Sequence, residues 1–270
     1  MNLRVPDALM VDNSEKYVVS IRLSPDGLAF SGYIPSEKDS FFYEEIKTDQ
    51  AKNHVQAIKD VFFAHPFFAY SYKQIYVVCA NRQYTIVPDN VFVEKQKEQL
   101  MSFVFSSPDG KTLYERLDEF DSVLLFGIQP EVYEFFSRSL LRPVFTHAVT
   151  PMLIQWKKHN LTGFPKQLYV ALHDDIIDVA CFDKGTLLFI NSFHFDDPDD
   201  ILYYILYVWK QTGLDQQKDK LFLSANARMY QTLQETLQTY LLQIELIQSP
   251  WIDANMEVPP DITALFQCGS

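Results

Sequence analysis

The chain has 270 residues, 47% hydrophobic and 15% aromatic, with a formal net charge of −12; this apolar content builds a packed core and excludes the disordered and fibrous classes. The acidic surplus opposes a nucleic-acid backbone or an anionic membrane surface, since both are held mainly by clustered Lys and Arg. Only 8 glycines occur, about 3% against a usual share of roughly 7%, so glycine-rich loop chemistry is scarce here.

At about 100–200 residues per domain, the length fits one large unit or two lobes. No stretch approaches the ~18 uninterrupted apolar residues of a membrane span, and the first residues lack the apolar region of a leader; the expectation is a soluble, cytoplasmic protein. Cys79, Cys181 and Cys268 are far apart and form no Cys-x-x-Cys pair. The first two sit in apolar runs and read as buried thiols of a reducing compartment.

Along the chain, residues 16–23 form a β-rich run that passes through Ser24-Pro25-Asp26-Gly27 into a second strand at 28–33, a hairpin with type I turn chemistry. A third strand at 41–46 precedes a helix whose apolar face is Val55, Ile58, Val61 and Phe62, with Thr48 or Asp49 as its expected cap and Pro66 as its stop. Strands follow at 74–79 and 84–87, then a helix over about 89–105, a second Ser-Pro-Asp-Gly turn at 107–110, and a strand at 122–126. A helix from Pro130 to Leu140, a short strand at 143–145 and a helix over about 147–159 complete this half.

Leu161-Thr162-Gly163-Phe164-Pro165 reads as the lobe boundary, giving lobes at 1–163 and 164–270. Strands at 166–171, 176–182 and 186–195 follow. Asp196-Asp197-Pro198 starts a helix whose apolar face is Ile201, Leu202, Ile205, Val208 and Trp209, with Gly213 as its end. A strand at 220–223, a helix with the stripe Tyr230, Leu233, Leu237, Tyr240 and Leu241, and a last strand at 244–247 come next. Both halves therefore run strand, strand, strand, helix, strand, helix, which is an internal repeat of architecture. Each repeat predicts a mixed five-stranded sheet covered by helices, an α/β fold.

These duplicated β-β-β-α-β-α lobes resemble the actin-like ATPase superfamily, whose lobes are ribonuclease H-like. Within it the chain is similar to small pilus-assembly and division-type members and to an uncharacterised Bacteroidetes family of unknown function. The resemblance implies three nucleotide-contacting motifs. Where the family carries Asp, an apolar residue and Gly at the end of the first strand, this chain has Ser20-Ile21-Arg22. Where an acidic, Gly-rich turn opens the second lobe, it has His173-Asp174-Asp175 leading to Asp178, whose carboxylates repel phosphate unless a divalent cation intervenes. Where the family carries a Gly-Gly turn, it has Ser224-Ala225-Asn226. No Gly-x-Gly, Gly-Gly or Gly-Lys-Ser/Thr occurs, so the backbone cradle for phosphate is missing. If a nucleotide binds, the resemblance places it on Ser20, Arg22, Asp174, Asp175 and Asn226.

Each candidate also has a plainer reading. Asp174 and Asp178 are the weak candidates for a metal, but a polar β-turn is the favoured reading, since adjacent Asp174 and Asp175 in a strand point to opposite faces. His194, Asp196, Asp197, Asp199 and Asp200 sit where a helix N-terminus favours carboxylates. The alternation of Ser20, Arg22 and Ser24 against Val19, Ile21 and Leu23 places Arg22 on a solvent face. Ser20 and Ser224 have no His and acid partner that sequence nominates, and Asn226 suits a turn. His54, His65, His147 and His159 read as surface or helix-end residues. The aromatic excess, Phe62, Phe63, Phe67, Phe68, Tyr70 and Tyr72 in one cluster and Tyr203, Tyr204 and Tyr207 in another, fits either core or interface. The tail from Trp251 has isolated apolar anchors for its own domain or another chain.

The leading reading is a non-catalytic interaction or assembly module of this fold, with no cofactor, and with a protein partner or self-association. A divergent ATPase using ATP with Mg is the alternative, and a metal-dependent phosphodiesterase on Asp174 and Asp178 the third.

Overall fold

A short 3-10 helix (Val11–Lys16) leads into the first strands of the structure, a computed structural model that describes residues 9–24, 27–48, 51–159, 166–225, 227–247 and 256–268. Strand β1 (Val18–Ser24) pairs antiparallel with β2 (Gly27–Ile34), which pairs antiparallel with β3 (Glu37–Lys47). The chain then crosses through α1 (His54–Ala64) so that β4 (Gln74–Cys79) lies parallel to β1 on its other side. Helix α1 begins later than the composition suggests: Asn53 Oδ1, not Thr48 or Asp49, accepts the Val55 amide at 2.9 Å.

An excursion follows. Strand β5 (Tyr84–Pro88), helix α2 (Lys97–Val104), strand β6 (Lys111–Leu117) and strand β7 (Ser122–Ile128) build a separate antiparallel sheet in the order β5-β7-β6. Helix α3 (Pro130–Ser139) leads back to β8 (Val144–His147), the parallel fifth strand of the main sheet, whose order is β3-β2-β1-β4-β8. The two sheets are joined by Glu115 of β6. Its carboxylate accepts from the His147 amide and Thr146 Oγ1, each at 2.8 Å, and from Thr150 Oγ1 at 2.5 Å. Burial pushes the Glu115 carboxyl up despite these three donors.

Helix α4 (Val149–His159) leads to the second sheet: β9 (Lys166–His173), β10 (Ile176–Asp183) and β11 (Thr186–His194) as an antiparallel meander, then α5 (Pro198–Gln211), β12 (Lys220–Ser224), α6 (Ala227–Leu237) and β13 (Ile244–Leu246). Its order, β11-β10-β9-β12-β13, is that of the first sheet element for element. The chain divides into two compact units, the first running to Thr150 and the second Pro151–Cys268. The expected boundary at 161–165 lies outside the described residues.

In the second unit, Leu168, Val170, Ile177, Val179 and Cys181 face α5 and α6 across one side of the sheet. Alternation sends Tyr169 and Phe182 to the other side, where Tyr169 stacks between Trp156 of α4 and Phe222. The C-terminal segment forms α7 (Pro260–Cys268), and it docks on its own unit: Ile262, Ala264 and Phe266 are buried, and Gln267 accepts from Gln155 Nε2 of α4 at 2.5 Å. Helix α5 starts as its sequence dictates. Asp197 accepts from the amides of Asp199 and Asp200, Asp200 reaches back to the Asp197 amide, and Gly213 closes the far end at φ +63°.

Candidate functional site

The positions that the resemblance singles out fall on β1, at the β9–β10 turn and at the end of β12. In the first unit Ser20 and Ser31, directly paired across β1 and β2, hydrogen-bond through their hydroxyls at 2.6 Å and are buried. Arg22 is 3% exposed, which corrects the expectation of a solvent face. The reason is topological: β1 is the central strand, between β2 and β4, and its two faces are both covered, so polar alternation there does not report water. His147 likewise is buried rather than superficial. Its Nδ1 accepts from the Val149 amide at 3.2 Å and its Nε2 therefore donates to the Asn81 carbonyl at 2.9 Å. Cys79 and Cys181 are buried free thiols, both pushed up by burial.

The second unit concentrates charge. Asp174 and Asp175 are the two residues of the β9–β10 turn, and Asp174 takes a left-handed backbone at φ +49°, which Asp tolerates better than most residues. His173, at the end of β9, is buried, and Asp178 on β10 beside it is 2% exposed. His173 Nε2 donates to Asp178 Oδ2 at 2.6 Å and Nδ1 to Asp174 Oδ2 at 3.1 Å, while Ser192 of β11 donates to the other Asp178 oxygen. Burial alone pulls the His173 pKa down. The Asp178 charge, the hydrogen bonds to Asp174 and Asp178, and the charge of the buried Asp261 on α7 outweigh it and push the value up to about 9. His173 is therefore an imidazolium at neutral pH, and the cluster is a buried cation set among carboxylates.

Asp174 and Asp178 thus converge, but on a histidine. Asp175 turns away to His194 Nδ1 at 3.0 Å, and His194 Nε2 meets Asp196 at 3.1 Å. Among the described residues no group of three or more His, Cys, Asp or Glu side chains is arranged to hold a metal ion. Ser224 ends β12 with a buried hydroxyl that has no hydrogen-bond partner among the described residues, and Asn226 lies outside them. Sequence reasoning named Asp174 and Asp178 but assigned the turn no internal pairing. The signal available was the five-residue spacing of His173 and Asp178, which a two-residue hairpin turn makes diagonal neighbours on one face, His173 opposite Ile176 and Asp178 opposite Ala171.

A pocket of about 470 Å³ lies wholly in the first unit, at the carboxyl ends of β1 and β4 and beside the start of β7's following helix. Its floor is apolar, from Leu23, Ala57, Cys79 and Ile128, and its rim carries Thr48, Lys52, His54, Asp109 and Gln129. The carboxyl ends of parallel strands are where open α/β sheets form crevices. Lys52 is paired with Asp60 at 2.5 Å, and burial pulls His54 down and pushes Asp109 up. The rim is polar without a strong net sign.

Two mixed five-stranded sheets of identical strand order, each reached through the same alternation of elements, define an actin-like ATPase fold. Residues 6–244 match the model of DUF3822, a family of proteins of unknown function, and the chain belongs to that family. A Bacteroides thetaiotaomicron protein with an actin-like ATPase fold and unknown function is 31% identical, covers 96% of this chain and 98% of its own, and superposes with a TM-score of 0.82. The PilM–PilN type IV pilus biogenesis complex includes a chain 12% identical, at a TM-score of 0.50, with 92% of this chain and 96% of that one covered. The ethanolamine utilization protein EutJ of Carboxydothermus hydrogenoformans is 9% identical over 93% of this chain and 89% of its own, at a TM-score of 0.45. No curated protein matches the chain.

Proposed function

We propose that this chain is a non-catalytic module of the actin-like fold that works by binding other proteins or copies of itself in the cytoplasm, its nucleotide motifs having degenerated. The observation that carries the reading is the β9–β10 turn. A phosphate-binding hairpin offers backbone amides and glycine; this one offers Asp174 and Asp175 at the tip and a buried imidazolium already satisfied by Asp174 and Asp178. The cation is spent internally and the outward charge is negative, which repels phosphate. Ser20-Ile21-Arg22 at the first hairpin supplies no acidic side chain to manage a metal-bound water. PilM, a pilus-biogenesis protein of this fold, is found in a complex with PilN, and the acidic surface fits such protein work better than nucleic acid. No helix among the described residues is long and apolar enough to cross a membrane.

The test is a thermal-shift series with ATP, ADP and GTP, each with and without Mg²⁺, followed by calorimetry on any hit. A ligand at 100 times its Kd stabilises a fold by about 2.7 kcal/mol, a shift of several degrees. No shift is expected. A shift with ATP and Mg²⁺ that Asp174→Ala abolishes overturns the loss of nucleotide binding, revives the divergent ATPase and locates its site, and a shift with divalent metal alone that Asp178→Asn abolishes revives the phosphodiesterase reading.

A further inference from the structure

In the second sheet the strand order ends at β11, which among the described residues pairs with β10 alone. An edge strand offers a row of N–H and C=O groups to any other strand, and proteins blunt such edges with charges, proline or short length. The internal repeat supplies a comparison. Strand β3 holds the same edge of the first sheet, and six of its eleven residues, EKDSFFYEEIK, are charged. Strand β11 has nine residues, TLLFINSFH, with no Asp, Glu, Lys, Arg or Pro. Among the described strands the remaining edges are short or guarded: β8 has four residues and β13 three, β6 carries Lys, Glu and Arg, and β5 ends in Pro88.

The pairing with β10 decides which backbone groups of β11 point outward. The Phe195 amide donates to the Asp175 carbonyl at 3.0 Å. In the same antiparallel register Asn191 and Phe193 therefore share their bonds with β10, and Ile190 and His194, one step off, turn theirs to the open side. Side chains alternate too. Phe189 and Phe193, with Phe195 just past the strand, pack against the core under α5 and α6 but stay half-buried, and Asn191 between them is exposed. A row of half-covered phenyl rings on the last strand is apolar surface that one further strand covers.

The occupant follows from the strand's fit to itself. About a two-fold axis at Ile190, antiparallel pairing of β11 with its copy sets Phe189 opposite Asn191, Leu187 opposite Phe193 and Thr186 opposite His194. No like charges meet. At each end the exposed Lys184 of one copy comes level with the exposed Asp196 of the other, opposite in sign. With a net charge of −12, two copies repel wherever their acidic surfaces approach, and this uncharged strand is a place where they do not.

We infer that β11 pairs with β11 of a second copy, joining the two second-unit sheets across a two-fold axis. The inference rests on the reading of the chain as an interaction module. A nucleotide-dependent thermal shift would overturn that reading, whereas a chain that binds no nucleotide and stays monomeric would remove this pairing and leave the reading in place.

The experiment is sedimentation equilibrium of the full chain from about 1 μM to about 100 μM, where a monomer–dimer equilibrium is expected. Hydrogen exchange read by mass spectrometry at both ends of that range is expected to slow over residues 186–195 as the dimer forms. Asn191→Glu sets a carboxylate among the phenyl rings of the other copy, and Ile190→Pro removes an outward N–H from each copy without taking a bond from β10. Each is expected to raise the dimer Kd by at least about tenfold. Glu45→Gln, on the charged edge of the first sheet, is expected to leave it unchanged. Three results overturn the inference: a monomer at every concentration; a dimer whose exchange over 186–195 does not depend on concentration; or a dimer that both β11 variants leave as tight as wild type, which means that the copies meet elsewhere.

Discussion

His173→Gln removes the one buried cation of the second hairpin while keeping a side chain of similar reach. The imidazolium is held at a pKa of about 9 against the ordinary 6.5. At about 1.4 kcal/mol per pKa unit that difference stores about 3 kcal/mol of folding stability. A group whose pKa is raised on folding contributes fully below its unfolded value and loses the contribution as pH rises through its folded value. Stability from His173 is therefore complete below about pH 6, falls to about half near pH 8 and is almost gone by about pH 10. The assay is urea unfolding read by tryptophan fluorescence, which is local to this unit because Trp156, Trp209 and Trp251 all lie in its sequence. The quantity of interest is the difference between wild type and His173→Gln across about pH 6 to 10, which cancels other titrating groups. That difference is expected to shrink by about 3 kcal/mol as pH rises. Parallel curves at all pH values would refute the argument, because they mean that His173 is neutral or that the carboxylates do not hold its proton.

Two more changes probe the frame around the sites. Asp197→Ala removes the cap and half of the reciprocal pair with Asp200 at the start of α5; a loss of about 1 kcal/mol, a few degrees in Tm, is expected by scanning calorimetry. Gly127→Ala, at the end of β7, drives a methyl to 2.4 Å from the Asp109 carbonyl oxygen. The turn at 107–110 must shift, at an expected cost of about 1–3 kcal/mol by urea unfolding of the whole chain, and an unchanged midpoint would mean that the turn yields freely.

The local order of elements was legible from the residues because each is set by nearby chemistry. Near-continuous apolar runs give β9 and β10, the Asp197-Pro198 start and Gly213 bracket α5, and the repeat of strand, strand, strand, helix in both halves carries the fold. Strand β6 escaped, since its seven residues KTLYERL mix Lys, Glu and Arg with few apolar positions; it is a strand because β7 beside it is buried from Val123 to Ile128 and needs a partner. That β5, β6 and β7 leave the main sheet to form their own is equally a matter of pairing between distant residues.

Burial was decided only by tertiary structure. Arg22 sits in an alternating pattern that reads as half-exposed, yet strands on both sides and cover on both faces bury it. The aromatic clusters divide for the same reason: Phe62 and Phe68 pack inward in the first unit while Phe63 is 74% exposed, and Tyr203 and Tyr207 stay in water. The sequence could place His173, Asp174 and Asp178 at a turn and count their charges. Only the hairpin register, with β11 and α7 closing over it, turns those residues into a protonated histidine held by carboxylates, because a pKa depends on what surrounds a group in space and not on its neighbours along the chain.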